Sequence, residues 1–134
     1  MSLDTALADA MKSVPECVAG AYIDMESGML LSVKTLDSHP QEVLDMVSAS
    51  TADLFQGSNV LTIEDHFKKS RGVKDSSVHY FQEFLVFSEN LLHAFLRTKK
   101  YPNHVVVFVC RKSANVGMVL AKSRMTVDPL QNAV

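Results

Sequence analysis

Apolar residues recur at helical spacing from the start of the chain. Leu3, Ala6, Leu7, Ala10, Met11 and Val14 fall on one stripe, with Asp4, Asp9 and Lys12 outside it. Pro15 ends this predicted helix. The period then changes from 3.6 to two. Cys17, Ala19, Ala21 and Ile23 alternate with Val18, Gly20 and Tyr22, which reads as a strand over 17–24. Asp24-Met25-Glu26-Ser27-Gly28 has the composition of a turn, with Gly28 placed to take a positive φ. Residues 29–35 return as a second strand, so the pair forms a β-hairpin.

Ser38-His39-Pro40 is suited to open a long helix, with Ser38 or His39 as cap and Pro40 in the first turn. On it Met46, Ser50, Val43, Leu54, Val47, Leu44 and Phe55 fall within about half the circumference. Gln41, Glu42, Asp45, Asp53 and Gln56 fill the rest, and Gly57 ends the helix. In the stretch 58–77 the pattern weakens. Thr62-x-x-Asp65 permits a short helix as far as Lys69, and Ser70–Ser77 reads as a loop. Three strands follow, at 78–88, 91–99 and 104–110, separated by Ser88-Glu89-Asn90 and Tyr101-Pro102-Asn103. The last, with Val105–Val109, is apolar on both faces, which predicts a central strand covered on both sides. A final helix is expected over 114–124, and residues 126–134 are expected to fray.

The predicted order is therefore α-β-β-α-(α)-β-β-β-α. Short turns join successive strands, so the sheet should be mostly antiparallel. Helices must cover both of its faces. The fold class expected is a three-layer α/β/α sandwich around a five-stranded sheet, formed by one domain over residues 1–134.

Composition narrows the function. At 134 residues the chain has the length of one domain with a core of its own. Net charge is −2, which argues against a general nucleic-acid binder. No stretch of about 18 apolar residues occurs and no leader pattern opens the sequence, so a cytoplasmic protein without membrane insertion is expected. Cys17 and Cys110 are too few for a disulfide framework. Each lies in an apolar run, where a buried, slowly reacting free thiol is expected.

No catalytic constellation emerges. Gly20, Gly28, Gly57, Gly72 and Gly117 are scattered, so no phosphate-cradling loop is legible. His39, His66, His79, His93 and His104 show no metal-ligand spacing, and His104 lies six residues from Cys110 on one strand, too far to act as its base. Neither metal nor cofactor is expected. Lys68, Lys69, Arg71 and Lys74 form the densest basic cluster, readable as a solvated loop or as a docking patch for an acidic partner.

The sequence resembles the roadblock family, named after a dynein light chain. The resemblance rests on Val14-Pro15-Glu16 ahead of Val18-Ala19-Gly20-Ala21 and on the Asp24–Gly28 turn with the Met29–Val33 strand. The long helix after Pro40, the three consecutive strands and Asn115-Val116-Gly117-Met118 at the last helix also match. Residues 59–77 depart from it. The resemblance implies a profilin-like layered fold and a non-catalytic homodimer, paired through the second helix and third strand. It further implies a scaffold or regulator role beside a small Ras-like GTPase. Under it the interface falls to Val43, Met46, Val47, Ser50, Leu54, Phe81 and Phe84. An apolar edge strand without a partner is an aggregation liability, which agrees with such pairing. The alternative is a small-molecule-sensing module of similar fold, with Tyr22, Tyr80 and His93 as candidate pocket residues.

Overall fold

The structure, a computed structural model, describes residues 2–36, 41–72 and 79–134, and for residues 41–46 the helix backbone alone. Among these residues the elements are α1 (Leu3–Ser13), β1 (Cys17–Asp24), β2 (Met29–Thr35), α2 (Gln41–Gln56), α3 (Ser58–Arg71), β3 (Glu83–Phe87), β4 (Leu91–Arg97), β5 (His104–Arg111) and α4 (Val116–Asn132). The strands form one sheet in the order β2-β1-β5-β4-β3, every neighbouring pair antiparallel. The apolar strand β5 is central, as its pattern predicts. The proposed cap at Ser38, His39 and Pro40 lies outside the described residues.

Local chemistry accounts for the elements. Ser2 caps α1 by accepting from the Thr5 N–H, and Asn115 caps α4 by accepting from the Met118 N–H. Gly28 takes φ 73° in the β1–β2 turn, where Asp24 also accepts from the Glu26 N–H. The two sheet faces then receive different helices. Leu7, Tyr22, Leu92, Leu96, Val106, Phe108, Val119 and Leu130 are almost wholly buried between the sheet and the α1/α4 layer. Ile23, Phe55, Phe95, Val105 and Val107 form a smaller core on the opposite face, beneath α2. The three-layer sandwich is thus the architecture.

Three boundaries differ from expectation. The short helix proposed from Thr62 to Lys69, followed by a loop from Ser70, is in fact the fourteen-residue α3. Its apolar stripe is weak because its single fully buried side chain is a carboxylate, Glu64. The third strand begins at Glu83, not at residue 78, because residues 80 and 81 donate their backbone N–H groups to Glu64 instead of to a ladder. The tail expected to fray from 126 instead continues α4 to Asn132. Thr126, Val127 and Leu130 are buried there, and that burial outweighs the hydrogen bond removed by Pro129.

Candidate interaction face

Phe55 anchors the α2 side of the sheet. Its ring meets Phe84 edge-on at 4.8 Å, and the Arg97 guanidinium lies over it at 4.9 Å. Arg97 is buried on β4 and donates to three backbone carbonyls, those of Phe81, Pro102 and Phe55. One side chain thereby ties the end of α2 to the approach to β3 and the β4–β5 turn. Burial lowers the Arg97 pKa, and the negative charge of Glu64 opposes that shift. Glu64 accepts from the Tyr80 and Phe81 N–H groups and meets the His79 imidazole at 3.4 Å. The carboxylate gives partners to the Tyr80 and Phe81 N–H groups, which join no strand ladder.

The residues singled out for pairing lie at different depths. Val47 is 40% exposed and Ser50 is exposed, both on α2. Leu54, Phe81 and Phe84 are half-buried. Leu54 and Phe84 pack against the core around Phe55, and Phe81 stacks on Phe84 at 5.8 Å. The side chains of Val43 and Met46 lie outside the described residues. Strand β3 is an edge of the sheet, and its exposed apolar residues are Val86 and Phe87, the latter 53% exposed. The sequence pattern placed apolar residues on both faces of this strand but did not say which would lack a cover.

Helix α3 follows α2 after Gly57 alone. A Cβ there would lie 2.7 Å from the Asp53 carbonyl oxygen, so the tight joint requires glycine. Leu61, Ile63 and Phe67 are exposed on α3, and Phe67 stacks on Tyr80 at 4.6 Å. At its C-terminal end Lys68 is half-buried, while Lys69 and Arg71 are exposed, with Arg71 5.8 Å from the Tyr80 ring centroid. These cations suit the negative end of the helix. Lys74 lies outside the described residues.

A cleft of about 780 Å³ opens on the same face where α2 leaves the sheet. Ala19, Ala21, Val33, Val107 and Val109 line it from the strands and Val47 from α2, while Asn90, Arg111 and Lys112 contribute polar groups. His93 also lines it. Its ring shares a hydrogen bond with the Ser88 hydroxyl, and burial lowers its pKa. Of the three candidate pocket residues only His93 belongs to the cleft. Tyr22 points into the opposite core and Tyr80 packs on α3.

Two arrangements escaped the sequence reading because they depend on strand register. Tyr22 shares a 2.8 Å hydrogen bond with His104 Nδ1, and His104 Nε2 lies 4.0 Å from Asp24. Burial pushes the Tyr22 pKa up to about 12 and that of His104 down. The buried phenol and half-buried ring serve to join β1 to β5. Cys17 and Cys110 face each other across the same strand pair. Cys110 is buried as expected, but Cys17 is only half-buried, because it stands at the first position of β1. Among the described residues no three His, Cys, Asp or Glu side chains gather at metal-binding distance, and no helix is long and apolar enough to cross a membrane.

No protein-family model matches the chain, and no curated protein matches it. Solved structures do. A Roadblock/LC7 domain from Streptomyces avermitilis superposes with a TM-score of 0.67 at 14% identity, covering 98% of this chain and 97% of that one. MglB from Myxococcus xanthus gives 0.69 at 14% identity, covering 97% and 92%. MglC from the same organism gives 0.60 at 17%, with 100% of both chains covered. Profilin II from Acanthamoeba castellanii gives 0.61 at 11%, covering 99% and 100%.

Proposed function

We propose that this chain, whose fold is the roadblock fold, is a non-catalytic homodimeric module that scaffolds or regulates a small Ras-like GTPase in the cytoplasm. The observation that carries the dimer is the uncapped edge strand. β3 presents Val86 and Phe87 on an edge, and α2, which runs across the sheet from the β1–β2 turn to Phe84, presents Val47 and Ser50. A second copy adding its β3 would continue the sheet and cover these groups. The GTPase rests on the family resemblance and on structural likeness to MglB and MglC. A further MglB structure that superposes with a TM-score of 0.67 at 18% identity has a tetrameric arrangement, which supports self-association in this fold.

Light scattering tests the dimer. The wild type should be dimeric at tens of micromolar, an order of magnitude suited to a stable interface. Val47→Asp should dissociate it by placing a charge in a dry contact, at a cost of about 3 kcal/mol or more. A monomeric wild type overturns the dimer. Calorimetry with a small GTPase from the same genome tests the partner. Binding should differ between GTP-analogue and GDP forms by about 1–3 kcal/mol, the usual range of such coupling. Equal affinities would leave a passive scaffold.

The cleft favours a second reading, a ligand-sensing module. It has apolar walls and a few polar groups, the make-up of a small-molecule site. A small molecule retained in native mass spectra, together with no binding to any such GTPase, would decide for it.

A further inference from the structure

The register of the two central strands brings together the chain's two cysteines, which lie far apart in sequence. Cys17 opens β1 and Cys110 is the penultimate residue of β5, and the two are direct partners across the antiparallel ladder. The Arg111 N–H donates to the Glu16 carbonyl at 3.1 Å. That bond joins the residue after one cysteine to the residue before the other, so the cysteines occupy a non-hydrogen-bonded pair. In such pairs the Cα atoms are roughly 4.5 Å apart and the side chains approach most closely. Disulfides span Cα separations of roughly 4.4–6.8 Å, so this pairing suits a bridge, and the register shift between Cys17 and Ala19 places a bulge beside it. The Cys17 thiol donates to the Ala19 carbonyl at 3.2 Å, and each thiol shifts the pKa of the other.

The two thiols are not equivalent. Cys110 is fully buried among Leu92, Phe108 and their neighbours, and Cys17 is half-buried at the strand's entrance. The hydrogen bond from Cys110 holds the Cys17 pKa below its ordinary value, and the same contact with burial raises that of Cys110. An accessible sulfur with more thiolate character reacts first with an oxidant, and the sulfur in contact with it completes the reaction.

We propose that Cys17 and Cys110 are a peroxide-oxidisable pair that forms a reversible intramolecular disulfide across the β1–β5 ladder. The oxidant is a hydroperoxide, in the simplest case hydrogen peroxide. The Cys17 thiolate attacks one peroxide oxygen and the O–O bond breaks. Cys17 becomes a sulfenic acid, and the departing hydroxide takes up from solvent the proton that Cys17 released on ionising and leaves as water. The Cys110 sulfur then attacks the Cys17 sulfur. The S–O bond breaks, the S–S bond forms, and the hydroxyl leaves with the Cys110 proton as a second water. Two thiols and one peroxide thus yield one disulfide and two waters. A dithiol reductant reverses the change.

Treating the reduced chain with hydrogen peroxide and quenching at intervals tests this. Both thiols should disappear at a single rate, with a mass loss of two hydrogens and a linked peptide joining Cys17 to Cys110 within one chain. Because the link closes a long loop, the oxidised form should melt higher, by on the order of 10 °C. In Cys110→Ser, Cys17 should stop as a sulfenic acid that dimedone traps. In Cys17→Ser, the buried Cys110 should react about tenfold more slowly or less. Circular dichroism of each variant checks that it has folded, and the wild-type result does not depend on either. Three outcomes would overturn the pair. Cys17 passes to a sulfinic acid while Cys110 stays reduced; the disulfide forms between chains; or both thiols persist while glutathione in the same tube is consumed.

Discussion

The two faces of the sheet are made by the same five strands and differ in their cover. On one, α1 and α4 lie over Tyr22, Phe108, Leu92 and Leu96 and leave them almost no solvent contact. On the other, α2 closes only one end, where Phe55 meets Phe84 and Arg97, and an open cleft remains over Ala19, Val33 and Val109. The first face is held by packing area. The second is held at a few points by polar ties, Arg97 to three carbonyls and Glu64 to the approach to β3. A face tied at points can leave apolar surface open without losing its fold, which is what a binding surface requires.

Mutations can break this contrast. Phe108→Ala, in the closed face, should destabilise the chain by about 3–5 kcal/mol in urea unfolding. Arg97→Met removes the point tie and leaves the carbonyls of Phe55, Phe81 and Pro102 without their donor. It should cost about 2–3 kcal/mol. Val33→Ala, on the open face, should cost about 0.5 kcal/mol or less, since little area is lost from an exposed site. A cost at Val33 equal to that at Phe108 would mean that the cleft is closed in solution. Temperature melts on a matched concentration series would show whether a second copy closes it.

The smallest expected effect is a pH dependence. Burial lowers the pKa values of His93, in the cleft, and His104, at the β1–β5 junction, below the ordinary 6.5. The unfolded chain therefore takes up these protons first. The stability that neutral rings contribute is full above about pH 6.5 and is lost as pH falls from there through the folded-state values. Tm should drop by a few degrees between about pH 7.5 and about pH 5.5. His93→Gln with His104→Gln should flatten that drop, and an unchanged slope would remove the histidines as its cause. Glu83 has a pKa lowered by its Arg124 partner and adds its loss only at more acid pH.

The closed face was more legible in the sequence than the open one. Stripes such as Leu3-Ala6-Leu7-Ala10 and runs such as Val105–Val109 state their burial directly, since each buried position is an apolar residue at the right period. Helix α3 was half-missed because its inward group is Glu64, which a hydropathy pattern scores as surface. The end of α4 was missed because a chain terminus is expected to fray, whereas Thr126, Val127 and Leu130 are buried against the core and hold the helix to Asn132. On β3, alternation located Phe84 but not its occupation by Phe55, so the exposed pair Val86 and Phe87 was not distinguished from it. The Cys17–Cys110 and Tyr22–His104 pairings depend on which strands are neighbours, which local pattern does not contain.

The strand order also governs how the chain can reach its fold. The hairpin β1–β2 and the meander β3–β4–β5 each close over short turns and can form early. The middle of the sheet joins residues 17–24 to residues 104–111, so it must wait until residue 111 has left the ribosome. Until then β1 has one edge without its β5 partner. Closure across so many residues is slow, and in the interval the open edge of β1 is exposed to wrong partners. Ribosome-bound chains truncated before β5 should therefore be protease-sensitive throughout β1–β2, and protection should arrive abruptly once residue 111 has cleared the exit tunnel.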